Sequence, residues 1–432
     1  TAVLFGLLPA LRVADVNANA AIREGPRAGS GPGKQRVWSI LVAVEVALAL
    51  VLLVGSGLML RSFAAVLGVD VGFEPRGVLT VVTDLPEHAY PNVAMAVAFQ
   101  DRALDAVRRI PGVTAAGVTN VLPLDGENPS GGIQVAGRPL LPIGHPITGF
   151  AVYRIVSPGY FDAMGMKILK GRGIAESDVA GGAPVVVVNE ALAKDGWPGE
   201  DPIGKQMRIG GMDGPEFEPF ATVVGIVKNV AGSGVTAPVR PAYYYSISQL
   251  PYRTRWMTMV VKTSLPPTGL VPQIRAALRS IDPDVPAEFE TLESRFASSI
   301  ADRRFTMTVL ATFAIAALLL AGVGIYGVVS YAVAQRTREI GIRLALGAQP
   351  GDVVLMVQGR ALLMVGAGIV AGAIGALALT RVMRSLLFEI SPTDPLTFGA
   401  VALVLLAAGW LASWLPARRG TRIDPLLAIR SE

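Results

Sequence analysis

Residues 336–348, RTREIGIRLALGA, decide how this 432-residue chain is read. Three arginines (Arg336, Arg338, Arg343) and one acid (Glu339) are interleaved with Ile340, Ile342, Leu344 and Leu346, and glycines stand at Gly341 and Gly347. Long apolar runs flank the segment on both sides. Charges this dense between two apolar runs belong in water, and basic ones favour the cytoplasmic side of a membrane. Helical spacing predicts one face with Ile340, Leu344 and Ala348 and a neighbouring face with Glu339 and Arg343. Two readings follow. The segment is an amphipathic helix under the membrane that docks a soluble partner, or a solvated loop whose arginines only fix topology.

The flanking runs set the class. Mean hydropathy is +0.50, hydrophobic residues make up 52% of the chain and charged residues 16%. That balance suits a protein part membrane and part water-soluble. Residues 37–61, 305–335, 353–381 and 396–415 are four apolar runs, each meeting the roughly 20-residue length of a spanning helix. The first starts too far into the chain, and is too long, for a cleaved leader. Arg23, Arg27, Lys34 and Arg36 precede it, and Arg418, Arg419, Arg422 and Arg430 follow the last. With four alternating spans, these clusters and 336–352 share one side, which the positive-inside bias makes cytoplasmic. Residues 62–304 then lie outside, 382–395 form an outer loop, and 416–432 a cytoplasmic tail. The net charge of +5 is a topology signal, so no nucleic-acid partner is expected. The absence of cysteine excludes disulfides, thiolate metal sites and a thiol nucleophile.

The outer segment reads as α/β. LTVVTDL (79–85) alternates like a strand, 93–110 has helical spacing through Phe99, Ala103, Leu104 and Val107, and VTAAGVTNV (113–121) is a second strand. The same order returns with MTMVVKT (257–263), a helix over 271–281 and AEFETL (287–292). Two βαβ units enclosing 151–245 suggest one subdomain interrupted by another. Within the insert, 185–188 and 222–227 are strands.

Several chemical signals fail on inspection. Gly199 to Gln206, GEDPIGKQ, mimics a phosphate loop, but Gln206 replaces the magnesium-binding hydroxyl and Pro202 interrupts it. His88 and His145, the two histidines, have no neighbours at metal-ligand spacing, so no metal or cofactor is expected in this chain. Asp282 and Asp284 flank a turn proline. Tyr243, Tyr244, Tyr245 and Trp256 read as strand or interface aromatics, with cargo or partner binding as the other possibility. Glu45 lies at membrane depth, where an acid is costly; it is either functional or a carboxyl facing the helix bundle and hydrogen-bonded there. Gly368 and Gly372 have small-xxx-small spacing, which permits close helix packing.

RTREIGIRLALGAQPGDVV resembles the signature between the second and third spans of FtsX-like permease domains, the MacB type of ABC transporter permease. SPGYFDAMGMKILKGR, VVVNEALA and DPIGKQMRI are similar to the extracytoplasmic domain of the same type. The resemblance implies four transmembrane helices plus an α/β extracytoplasmic domain with porter-like βαβ units and an inserted subdomain. It implies a non-enzymatic permease subunit of an efflux or mechanotransmission system in the bacterial inner membrane. Arg336, Arg338, Glu339, Ile340, Gly341, Arg343, Leu344, Gly347 and Ala348 would then form a coupling helix gripped by a separate ABC ATPase, which binds ATP and magnesium. A membrane scaffold or signalling protein acting on a cell-wall partner would have the same spans. Residues 8–25 (LPALRVADVNANAAIREG) also align without a gap with 415–432 (LPARRGTRIDPLLAIRSE). The layout resembles the second half of the acidobacterial duplicated orphan permeases. Residues 1–36 would end a preceding copy and form a linker, and the partner would be the missing first half or a second copy of the chain.

Overall fold

A computed structural model describes residues 32–421 apart from 127–128, 139–149, 210–219, 233, 251–253, 383 and 385–386. Residues 1–12, nearly all of the 25–33 linker, most of both aligned repeats, His145 and the Arg338 side chain lie outside the described residues. Two compact units emerge, Val66–Arg304 on one hand and Thr1–Ala65 with Phe305–Glu432 on the other.

The Val66–Arg304 unit is built on one eleven-stranded sheet with two distinct parts. In the first, β1 (Val78–Asp84), helix α2 (Val93–Arg108) and β2 (Val113–Thr119) form one βαβ unit. Strand β10 (Trp256–Thr263), helix α5 (Val271–Ile281) and β11 (Ala287–Thr291) form the other. The two interleave in the order β11-β1-β10-β2, every neighbour antiparallel, with Val81 opposite both Met259 and Phe289. This is a split βαβ arrangement. Asn92 caps α2 by accepting from the Met95 N–H. Phe99, Ala103, Leu104 and Val107 are buried, as the helical spacing predicts. Gly112, at φ +96°, turns the chain into β2 where a side chain would be strained.

The second part comprises β3 (Ser130–Val135), β4 (Phe150–Val156), the short α3 (Tyr160–Ala163), β5 (Ile168–Gly171), β6 (Val185–Asn189), α4 (Glu190–Gly196), β7 (Gln206–Ile209), β8 (Ala221–Val227) and β9 (Ala242–Ser246). Strands run β4-β3-β7-β8-β6-β9, and β9 pairs back to β4, so six strands close a ring; β5 lies against β8. Closure removes exposed strand edges, and the interior is filled by side chains. Residues 243–245 resolve as β9, all buried. Tyr243 and Tyr245 stack at 6.2 Å beside Tyr153, while Tyr244 meets Phe161 edge-on at 5.2 Å. Both faces of β9 are packed, so the alternation that would reveal a half-exposed strand is absent. The second part starts at β3, some residues ahead of the 151–245 insert expected from sequence. SGGIQV carries two glycines that hide its strand character. Strand β2 pairs with β4 at Thr119 and Val156, and the junction is reinforced by the Ser157 N–H donating to the Val118 carbonyl at 3.1 Å and the Asn120 N–H to the Ile155 carbonyl at 3.2 Å.

The other unit contains α1 (Pro32–Leu67), α7 (Ala301–Gln335), α8 (Thr337–Ala345), α9 (Pro350–Val382) and α10 (Pro395–Gly420). Four of these are long and apolar enough to cross a membrane, over Val37–Leu67, Arg304–Gln335, Pro350–Val382 and Pro395–Gly420. The chain is a multi-pass membrane protein with an α/β domain between its first and second spans. Each span exposes large apolar side chains, among them Leu48, Leu319, Leu363 and Leu403, as a lipid-facing helix does. One buried stripe per helix makes the core, including Val46, Leu50, Val54, Ile325, Val329, Val365, Ala376 and Leu405.

Candidate functional site

The arginine-rich segment folds as α8, with Arg336 at its N-cap and Leu346 at its C-cap. Glu339 in the first turn and Arg343 in the last suit the helix dipole. They pair at 2.7 Å across one turn, and Arg343 Nη1 also lies 2.8 Å from Met356 Sδ on α9. The helix stops in a Schellman motif. The Ala348 N–H reaches the Arg343 carbonyl at 3.0 Å, and the Gly347 N–H reaches the Leu344 carbonyl at 3.1 Å. Gly347 sits at φ +95°, a conformation that favours glycine. The motif turns the chain sharply into α9.

The two faces of α8 differ. Ile340 is 2% exposed, Gly341 is buried, and Leu344 and Ala348 are half-buried. Gly420 at the end of α10 leaves room for Val333 and lies beside Ile340. One face of α8 is therefore anchored to the ends of α7 and α10. The opposite face presents the Glu339–Arg343 pair with Ile342, 44% exposed, and Leu346, 83% exposed. The short helix thus touches three spans, α7 and α10 through its buried face and α9 through Arg343, and keeps an apolar and ionic outer surface.

Other residues singled out in the sequence lie elsewhere. Gly368 and Gly372 face α1: a side chain at Gly368 would meet the Ala43 carbonyl and Val46, and one at Gly372 the Ala47 backbone and Leu50. Glu45 is half-buried and directs its carboxylate at Gly324 of α7, filling the notch that glycine leaves. The phosphate-loop mimic leads into β7 instead of a helix, and its Lys205 is ion-paired with Glu200. His88 is exposed. Among the described residues no cluster of His, Asp and Glu could hold a metal.

Two polar links escape sequence reasoning. Asp394 caps α10 by accepting from the Thr397 N–H at 2.9 Å and hydroxyl at 2.6 Å, and it pairs with Arg61 of α1. The Ser62 hydroxyl accepts from the Phe388 N–H at 2.9 Å, so one end of α1 is tied to the segment leading into α10. The Asp-Pro-x-Thr spacing signals the cap, but nothing signals a partner 333 positions away. In the α/β unit, Arg295 of α6 (Leu292–Ser299) contacts Asp125 at 3.2 Å and Glu290 at 3.1 Å. Burial pushes the Asp125 carboxyl up, and Arg295 pulls it back only in part.

Comparison with known proteins places these elements. Residues 46–281, more than half of the chain, match the MacB-like periplasmic core domain, and residues 311–425 match the FtsX-like permease C-terminal region. The macrolide export ATP-binding/permease protein MacB of Rhodospirillum rubrum is 27% identical over 287 residues, covering 64% of this chain and 42% of that protein. MacB 2 of Aeromonas hydrophila is 28% identical over 294 residues, covering 64% and 43%. The chain thus spans about two fifths of the length of these relatives. The crystallised periplasmic region of MacB from Actinobacillus actinomycetemcomitans is 15% identical, covers 54% of this chain and 95% of that one, and gives a TM-score of 0.36.

Proposed function

The chain belongs to the family of permeases with a MacB-like periplasmic core domain and an FtsX-like C-terminal region, and on that premise we propose that it is the transmembrane subunit of an ABC-type efflux or mechanotransmission system. A separate ATPase binds ATP and magnesium and grips α8 through Arg336, Glu339, Arg343 and the neighbouring exposed side chains. Closure of the ATPase tilts α7, and the motion reaches the outer domain through α7 and α1. The chain itself performs no bond chemistry. It resides in the bacterial inner membrane with residues 62–304 outside, and it works beside a second permease half or a second copy.

One observation carries this reading: α8 is anchored on one face and bare on the other. Ile340 is buried against the end of α10, while Leu346 and the Glu339–Arg343 pair stay open to a partner. A loop that served topology alone would need neither the anchored apolar face nor the Schellman stop. The test is affinity purification of the full-length protein from its native membrane in mild detergent, with a non-hydrolysable ATP analogue. Glu339→Lys sets two cations one turn apart, at a cost to the helix of about 0.2–0.5 kcal/mol, and reverses the charge offered to the partner. An ATPase that co-purifies with the wild type and is lost in the variant supports the proposal, provided the outer domain keeps its unfolding temperature. Recovery of a cell-wall or signalling protein with no ATPase replaces it with the scaffold reading.

A further inference from the structure

The last three turns of α10 carry a feature that partner coupling does not use. Trp410, Trp414 and Arg418 recur every fourth residue and are all exposed, forming one outward stripe. The Arg418 guanidinium lies over the Trp414 ring, 5.2 Å from its centroid. Next to it, Arg419 Nη1 donates to the Tyr326 hydroxyl of α7 at 2.9 Å. Both contacts are to neutral aromatic groups. Among the described residues, neither arginine has an ion pair with an acid. Helical side chains lean toward the N-terminus, and the Arg418 guanidinium accordingly reaches back along α10 over Trp414.

The helix C-terminus accounts for only part of this charge. Its dipole amounts to roughly half an elementary charge, and two guanidiniums exceed it. Each guanidinium is a fork of five donors suited to a bidentate phosphate contact, and among the described residues the side-chain donor bond the pair makes is Arg419 Nη1 to Tyr326. Tryptophan and tyrosine mark the interfacial layer of a bilayer, where lipid phosphates lie. Two arginines held by aromatic partners at that depth, neither ion-paired with an acid among the described residues, complement an anionic headgroup.

We propose that Arg418 and Arg419, framed by Trp414 and Tyr326, bind the phosphate of an anionic phospholipid in the leaflet on the arginine-rich side. This rests on α10 spanning the membrane, and not on coupling to an ATPase. Native mass spectrometry tests it on the full-length protein, equilibrated in detergent with phosphatidylglycerol or with phosphatidylcholine of the same acyl chains. Wild type retains phosphatidylglycerol preferentially, by about fivefold for each arginine engaged. Arg418→Gln/Arg419→Gln abolishes the preference, Arg418→Lys/Arg419→Lys keeps part of it, and Arg381→Gln, on the last turn of α9, leaves it unchanged. Should the glutamine variant misfold, the lysine variant against Arg381→Gln gives the same reading. Equal retention of the two lipids by wild type, an undiminished preference in the arginine variants, or full displacement by soluble glycerol phosphate overturns the proposal. Flotation of the wild type with membranes is scored separately, so failure of the spanning assignment is not mistaken for failure of the site.

Discussion

The two units of this protein bury different kinds of side chain. In the α/β unit the largest fully buried side chains are Tyr160, Tyr243, Tyr244, Tyr245 and Phe99. In the helical unit the close contacts are at Gly368, Gly372 and Gly409, while Leu363, 76% exposed, and Val323, 68% exposed, face outward. The difference follows from the solvent. Water drives large apolar side chains inward, so aromatic bulk fills the sheet core. Lipid is as apolar as leucine and gives no such drive, so spanning helices are held by close backbone approach at small residues. One substitution therefore has opposite consequences in the two units.

The largest test of that contrast pairs two phenylalanines. Phe99→Ala empties a fully buried site under β1 and β2 and costs about 3–5 kcal/mol. Phe313→Ala, at a position 61% exposed on α7, changes stability by no more than about 0.5 kcal/mol. Thermal unfolding of the full chain in mild detergent, with amide exchange locating the loss, compares them. Equal destabilisation by the two would break the contrast. A smaller effect comes from the reverse experiment. Gly372→Leu drives a side chain into the Ala47 backbone and costs about 1–3 kcal/mol. Gly366→Leu on the same helix meets open space and is tolerated. If both glycines accept leucine equally, the close approach of α9 to α1 is not what holds these spans.

The smallest effect sharpens the picture of the water-exposed unit. Burial pushes the Asp178 carboxyl up, but the Arg172 guanidinium, at 2.6 and 2.9 Å, and the Ala175 N–H, at 2.8 Å, hold it below the usual carboxylate range. A depressed carboxyl contributes stability that is present above its unfolded value, about 3.9, and is lost as pH falls through the folded value. Arg172→Gln raises the folded value. Acid unfolding then begins at higher pH, with a loss of about 1 kcal/mol or less near neutrality for so exposed a partner. An acid-unfolding curve identical to that of the wild type would show that the Ala175 N–H alone sets the shift.

Much of the fold was legible because its signals are local. Spanning helices announce themselves by length and unbroken hydropathy, and α2 and α5 by periodic Phe99, Leu104, Ile274 and Leu278 ending at proline. Within 336–348, helical spacing put Ile340, Leu344 and Ala348 on one face and Glu339 and Arg343 on the next, and only the packing showed that the first of these faces is turned inward. The β3 strand was not legible, because glycines masked its alternation. Neither the Arg61–Asp394 tie nor the contact of Asp125 with Arg295 left a local trace.

Sequence alone determined four apolar helices, an α/β insertion between the first and second, and a charged amphipathic turn between the second and third. Each of these follows from the behaviour of a short window of residues in water or lipid. Tertiary structure alone decided the closing of six strands into a ring through β4 and β9, the burial of all three tyrosines of β9, the fit of Glu45 to Gly324 and the anchoring of Ile340 beside Gly420. Those outcomes depend on which distant surfaces meet, and the complementarity of two surfaces is a property of the pair that neither local window carries.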